Sequence, residues 1–164
     1  MEDFYKIFQQ LNEGNVRYLL CGGLAVNIFG IPRMTADIDV LVDFDENNLR
    51  EFNKQISQLN FESRIPLPII QLAKKEKRDE LIKTKNLIAY SYFSTQMNFA
   101  TVDVLVDTPF NFDEIWNRKE IRKVNEVPIH LISMDDLILM KEYSNRAQDK
   151  EDVLLLSKLK QNGK

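Results

Sequence analysis

The residues best suited to chemistry are aspartates in two short segments that repeat the pattern Asp-Val-Leu-Val-Asp, at residues 39–43 and 103–107. Because side chains along a strand alternate between its two faces, Asp37 and Asp39 share one face of the first segment. Asp103 takes the place of Asp39 in the second segment. If the valine faces of both strands pack into the core, the three carboxylates converge on one side of a sheet.

Converging carboxylates repel one another, so a fold that keeps them together is expected to place a cation there. Oxygen ligands suit Mg²⁺ or Mn²⁺, and Mg²⁺ commonly combines one or two carboxylates with the phosphates of a substrate. Two such ions can stabilise the attacking and the leaving oxygen of a phosphoryl transfer. The simpler interpretation of a single Asp-x-Asp is a pair of solvated strand-end side chains, and Asp43 and Asp107 are interpreted in that way.

A glycine pair, Gly22 and Gly23, lies between a predicted strand at residues 16–21 and a predicted helix at residues 24–29. Glycine lets the backbone turn sharply and lets a ligand approach it closely. The start of the following helix offers free N–H groups to a phosphate. A tight turn uses glycine in any case, and the pair becomes a candidate phosphate site because it lies one short helix upstream of the Asp-x-Asp.

The DNA polymerase β-type nucleotidyltransferases carry a Gly-Gly or Gly-Ser turn, a helix and an Asp-x-Asp strand, and the chain resembles them in CGGLAVNIFGIPRMTADIDVLVD, residues 21–43. Within that superfamily it is most similar to small bacterial proteins of the AbiEii, abortive-infection type. These share an Arg-x-Thr-x-Asp-Ile-Asp run, here residues 33–39, and an ending like residues 133–156. The resemblance covers residues 14–157 and implies transfer of a nucleoside monophosphate from an NTP to an acceptor hydroxyl.

By this resemblance Asp37 and Asp39 would bind two metal ions, Mg²⁺ or Mn²⁺. Asp103 would complete the catalytic-metal site and help to deprotonate the acceptor hydroxyl. Gly22 and Gly23 would hold the triphosphate. These residues are therefore the predicted catalytic and metal-binding set with its phosphate turn.

Four further residues are predicted to bind the nucleotide: Arg33, Thr35, Lys141 and Asp149. Lys141 matches a lysine that contacts phosphates in this group, and Asp149 with Asp152 matches a Lys-Asp-x-x-Asp-like ending. Each has a simpler interpretation as well. Arg33 can pair with a neighbouring aspartate, Thr35 can be structural, Lys141 can be a solvated charge, and Asp149 can cap the last helix.

Hydrophobic periodicity predicts the elements that would position these residues. We expect one α/β (α+β) domain over residues 1–164, with the polymerase β-like nucleotidyltransferase fold: a mixed, twisted sheet with flanking helices. Its core would span residues 14–107 and its C-terminal helices residues 133–161. Within it, Asp45 is predicted to cap a helix, and the predicted strands include 86–93, 98–106, 119–124 and 127–132.

The formal net charge is −3, whereas a general nucleic-acid binder is usually basic. Duplex DNA is therefore not an expected partner, and we expect transfer of one or a few nucleotides without templated synthesis. The chain has one cysteine, no segment typical of a signal peptide, and no run of the ~20 apolar residues that span a membrane. A cytoplasmic protein is the expectation.

The acceptor stays open among an RNA end, a small molecule and a protein side chain, and the NTP stays open too. The lincosamide-type antibiotic nucleotidyltransferases have similar size and motif order, so an antibiotic acceptor is one alternative. Another is a nucleotide-binding component of a toxin–antitoxin pair that acts through a protein partner. A homodimer is compatible with either.

Overall fold

Alternating apolar residues form the strands of a mixed sheet in the computed structural model, which describes residues 2–94, 96 and 101–162. The strands are β1 (Tyr18–Leu20), β2 (Asp37–Val42), β3 (Glu62–Ser63), β4 (Ala89–Phe93), β5 (Thr101–Leu105), β6 (Glu120–Val124) and β7 (Val127–Leu131). Their order in the sheet is β3-β4-β5-β2-β1-β7-β6. β2 runs parallel to β5 and β1 parallel to β7, while the other neighbours are antiparallel.

Helices flank this sheet, and several begin at residues that satisfy their free N–H groups. The helices are α1 (Glu2–Glu13), α2 (Gly22–Ile28), α3 (Glu46–Gln58), α4 (Lys75–Lys85), α5 (Phe112–Asn117), α6 (Met134–Ser144) and α7 (Ala147–Asn162), with a 3-10 helix at Ile69–Ala73. Asp45 accepts hydrogen bonds from the first N–H groups of α3, as predicted. Ser133 does the same for α6 through the N–H of Asp136. No helix of the described residues is long and apolar enough to cross a bilayer.

The valine face of the central strands forms the core, as the alternation predicted. Val40 on β2 lies opposite Val104 on β5, which lies opposite Tyr90 on β4, and all three are almost completely buried. Phe52 of α3 packs edge-on against Tyr92, with ring centroids 5.9 Å apart. Helix α3 therefore covers the valine face. Since side chains alternate along a strand, the aspartates of β2 and β5 lie on the opposite face of the sheet.

Two helix starts differ from the sequence-based predictions. α2 begins at Gly22 rather than after the glycine pair, so both glycines belong to the helix. α7 begins at Ala147, and the prediction that Asp149 caps it is wrong. Lys141 and Ser144 of α6 and Arg146, which precedes α7, hydrogen-bond to the Asp149 carboxylate instead.

The predicted strand pair at 86–93 and 98–106 corresponds to β4 and β5, which pair antiparallel. The start of the second range, residues 98–100, lies outside the described residues. Pairing of β4 with β5, and of β5 with β2, sets Asp103 beside Asp39.

Candidate active site

The aspartates of β2 and β5 lie in register across the parallel strand pair. Asp39 lies opposite Asp103, and Asp37 lies opposite Thr101. On the next strand, Ser91 lies opposite Asp103. Ser91, Asp103 and Asp39 therefore form one row across three strands, which we call the carboxylate row. It lies on the face opposite the buried valines because strand side chains alternate.

The carboxylates of the row are close enough to disturb one another. Burial raises the pKa of Asp39, and the charges of Asp103 and Asp37 raise it further. Burial also raises the pKa of Asp103, with a smaller opposing effect from a Ser91 hydrogen bond and a further increase from Asp37. The Oδ1 atom of Asp103 is buried and has no hydrogen-bond partner among the described residues. A cation would relieve both the repulsion and the unpaired oxygen.

The oxygen-only ligands of this site fit Mg²⁺ or Mn²⁺ better than zinc or copper. Within the described residues, no group of three or more His, Cys, Asp or Glu side chains is arranged to hold a metal ion. Mg²⁺ does not need such a cage, because it usually combines one or two carboxylates with water and substrate phosphates. The row therefore fits a metal that binds together with a nucleotide.

The glycine turn packs directly on Asp39. Gly22 has φ +63°, and a Cβ added there would lie 1.8 Å from Oδ2 of Asp39. The backbone N–H of Gly23 hydrogen-bonds to Asp39 and lowers its pKa. A Cβ added at Gly23 would lie 2.8 Å from Oγ1 of Thr35 and 3.1 Å from Cζ of Arg33. Both glycines are thus required by close packing at the site itself.

The loop between α2 and β2 is fixed by hydrogen bonds. The side chain of Asn27 donates to the carbonyl of Arg33 and accepts from its N–H, at 3.0 and 2.8 Å. The guanidinium of Arg33 pairs with Asp152 of α7 rather than with an aspartate near it in sequence. The hydroxyl of Thr35 donates to the carbonyl of Asp37 at 3.3 Å. Arg33 and Thr35 therefore connect the glycine turn to the start of β2.

A buried ionic cluster, which we call the C-terminal network, joins this loop to α6 and α7. Lys141 is 3% exposed, and its ammonium lies 3.1 Å from Asp149 and 2.6 Å from Asp152. Interpreting Lys141 as a solvated charge is therefore wrong. Burial alone would raise the pKa of Asp149, but hydrogen bonds from Arg146, Ser144 and Lys141 outweigh it and lower the pKa to about 2. The Asp149 carboxylate therefore stays ionised at neutral pH.

Two arginines that the sequence patterns did not single out flank the carboxylate row. Arg146, between α6 and α7, donates to Asp149 at 2.7 Å, stays largely exposed, and lowers the pKa of Asp39 by its charge. Arg64, after β3, lies over the ring of Phe93 and lowers the pKa of Asp103. Arg146 could have been noticed because it lies inside the motif-like ending, whereas no local signal identifies Arg64.

The sequence matches the family described as "Nucleotidyltransferase of unknown function (DUF6036)" over residues 2–160. The chain belongs to this family of nucleotidyltransferases. The match covers all three strands of the carboxylate row, the glycine turn and the C-terminal network. Comparison with curated proteins gives no match.

The nucleotidyltransferase fold is confirmed by similarity to solved structures. The lincosamide antibiotic adenylyltransferase LnuA, with lincomycin bound, has a TM-score of 0.62 at 14% identity, with 97% of each chain covered. ANT(2")-Ia in complex with adenylyl-2"-tobramycin has a TM-score of 0.57 at 12% identity, covering 93% of this chain and 84% of that one. A putative nucleotidyltransferase from Thermotoga maritima has a TM-score of 0.56 at 13% identity, covering 98% of this chain and 92% of that one.

In this nucleotidyltransferase the predicted site residues fall into two connected groups. The three aspartates and the glycine turn lie together at the carboxylate row. Lys141, Asp149 and the guanidinium of Arg33 lie in the C-terminal network, where each already has a partner. Their roles in binding a nucleotide stay predictions. Asp43 and Asp107 lie outside both groups, paired with Arg17 and with the Tyr143 hydroxyl.

Proposed function

We propose that this nucleotidyltransferase uses Mg²⁺ or Mn²⁺ to transfer a nucleoside monophosphate from an NTP to an acceptor hydroxyl, with release of pyrophosphate. The observation that carries the proposal is the register of Asp39 with Asp103 beside the glycine turn. Asp37, Asp39 and Asp103 would hold the metal, which would neutralise negative charge on the α-phosphate and the departing pyrophosphate.

The chemistry forms a bond from the acceptor oxygen to the α-phosphorus. The bond from that phosphorus to the oxygen bridging the α- and β-phosphates breaks, and pyrophosphate leaves with the electron pair. The acceptor proton would pass to Oδ1 of Asp103. That atom suits the task because it is buried and has no hydrogen-bond partner among the described residues.

The triphosphate would lie on the Asp39 side of the row, near the glycine turn and Arg146. The C-terminal network supports this orientation by its charge, because three basic side chains share two carboxylates. The excess positive charge is carried by Arg146, which is 76% exposed and fixed by its bond to Asp149. A fixed, exposed guanidinium is suited to phosphate oxygens. Lys141 would act mainly by fixing the two aspartates of the network.

The test is incubation of the purified protein with each α-labelled NTP, Mg²⁺ or Mn²⁺, and a cell extract, followed by identification of the labelled species. We expect labelled acceptor and equimolar pyrophosphate, both lost with chelator and with Asp103→Asn. Asp107→Asn is the matched control. It makes the same substitution at the other aspartate of the segment 103–107, which lies outside the site, and should leave transfer unchanged.

The same assay separates the alternatives. An antibiotic acceptor would give label on added lincomycin or tobramycin. A nucleotide-binding component of a toxin–antitoxin pair would bind NTP and a protein partner but would transfer no label. Absence of transfer to any acceptor in the presence of bound NTP and metal would refute the proposed reaction.

A further inference from the structure

Arg64 is the one arginine whose guanidinium has no hydrogen-bond acceptor among the described residues. The other seven arginines donate to carboxylates or to backbone carbonyls. Arg64 is exposed, and its Cζ lies 5.3 Å from the centre of the Phe93 ring. An aromatic face orients a guanidinium while leaving its N–H edge free to donate. The side chain is therefore oriented by the ring, and none of its N–H donors is used by residues 2–94, 96 or 101–162.

The position of Arg64 relative to the carboxylate row is fixed by the sheet. Its backbone N–H donates to the carbonyl of Ser91 at 3.0 Å. Ser91 and Phe93 are two residues apart on β4, so their side chains share a face, and Ser91 lies opposite Asp103. Arg64 thus lies on the aspartate face, at the Ser91 end of the row, beyond Asp103 as seen from Asp39.

The glycine turn and Arg146 lie at the other end. β1, which leads into the glycine turn, lies on one side of β2, whereas β5, β4 and β3 lie on the other. If the triphosphate binds near the glycine turn, the acceptor must approach from the side of Asp103. Arg64 is then a cation on the acceptor side of the site that has no carboxylate partner among the described residues.

We propose that Arg64 binds an anionic group of the acceptor, so that the acceptor carries a phosphate close to its reactive hydroxyl. This inference rests on the proposed function. A planar guanidinium with free N–H groups suits a phosphate monoester or diester, which accepts two parallel hydrogen bonds. The phosphate could belong to a phosphorylated small molecule or to the end of an RNA strand. A polycationic acceptor, such as an aminoglycoside, offers no anionic group for Arg64 to bind.

Binding and transfer are measured with wild type, Arg64→Ala, Arg64→Lys and Arg50→Ala. Arg50→Ala is the matched control, because Arg50 is exposed on α3, on the other face of the sheet, and pairs with Glu46 one turn away on the same helix. The binding probe is a 5′-fluorescein single-stranded RNA of 12 nucleotides, followed by anisotropy across a salt series. The small-molecule arm compares ribose 5-phosphate with ribose as acceptors, and tobramycin is the cationic acceptor.

For an RNA acceptor, Arg64→Ala should weaken binding about tenfold and reduce the salt slope by about 0.7, the value for one phosphate contact on a single strand. Arg64→Lys should retain part of the affinity, and Arg50→Ala should match wild type. For a small acceptor, ribose 5-phosphate should be used in preference to ribose, and Arg64→Ala should raise its KM about tenfold. In either case the KM for NTP should not change.

Several outcomes would overturn the inference. The first is that Arg64→Ala changes neither the affinity for the RNA nor the KM for ribose 5-phosphate. The second is that ribose and ribose 5-phosphate are used equally well and the RNA does not bind. The third is efficient transfer to tobramycin that does not depend on Arg64. An equal rise in the KM for NTP would also count against it, because Arg64 would then act only on the charge of the whole row. Arg64-dependent RNA binding without any transfer of label would refute the proposed reaction and leave the anion site standing.

Discussion

Lys141→Met removes the charge at the centre of the C-terminal network while keeping the volume of the side chain. The side chain of Lys141 is 3% exposed, and its ammonium contacts Asp149 and Asp152, whose side chains are each 2% exposed. Removing one partner of a buried ion pair costs about 3–5 kcal/mol, because it leaves an uncompensated charge away from water. The substitution should therefore destabilise the protein strongly.

The remaining partners limit this cost. Asp152 keeps its pair with Arg33, and Asp149 keeps the hydrogen bonds from Ser144 and Arg146. Neither carboxylate becomes wholly unpaired, so we expect a loss at the lower end of the range, about 3 kcal/mol in the free energy of unfolding.

Urea unfolding at neutral pH measures the loss. Lys75→Met is the matched control, because Lys75 pairs with Asp79 on the exposed surface of α4, and such a pair contributes about 0–1 kcal/mol. Adding Asp149→Asn to Lys141→Met should recover part of the stability by removing one buried charge. If Lys141→Met costs no more than Lys75→Met, the network does not hold buried charges as described.

Four other predictions concern acid stability, the carboxylate row, the glycine turn and the acceptor. The pKa of Asp149 is lowered to about 2 in the folded protein, so ionised Asp149 stabilises the fold. This stabilisation is complete above the pKa of the unfolded chain and is lost as the pH falls through about 2. Asp149 should therefore account for a loss of about 2 kcal/mol in the free energy of unfolding of wild type between about pH 4 and pH 2. Asp149→Asn should show a flatter pH profile, and an identical profile would refute the assignment. The pKa of Asp103 is raised, so its ionised form costs stability: Asp103→Asn should be more stable than wild type near pH 8, and this gain should vanish as pH falls toward about 4 in thermal unfolding scans. Gly22→Ala should reduce both stability and transfer, because the new Cβ would meet Asp39 and φ is +63°, and wild-type activity would contradict this close packing. A primer–template assay should yield additions of one or a few nucleotides, and long templated products would exclude the predicted acceptor classes.

Local patterns in the sequence were sufficient for the faces taken by the aspartates of the carboxylate row and insufficient for the C-terminal network. The alternation of aspartate and valine in β2 and β5 is a local property, and it correctly predicted which face each side chain takes. The burial of Lys141 depends on packing between α6 and α7 and on Arg33, which meets Asp152 across 119 residues of sequence. Nothing within a few residues of Lys141 encodes that contact, so the solvated interpretation was the natural one.

Arg64 illustrates the same limit for function. Its neighbours in sequence form no motif, and its place beside Asp103 arises only when β4 pairs with β5 and β3 pairs with β4.

The two arginines beside the carboxylate row differ in a way that bears on mechanism. Arg146 is bound to a carboxylate of the C-terminal network, so its position is set before any substrate arrives. Arg64 is oriented by an aromatic ring and has no carboxylate partner among the described residues, so an anion can bind it without displacing an existing ion pair. A fixed cation suits the triphosphate, which every turnover requires, whereas an unpaired cation suits a group that distinguishes one acceptor from another. Loss of Arg146 should therefore affect all acceptors alike, while loss of Arg64 should affect only those that carry the anion.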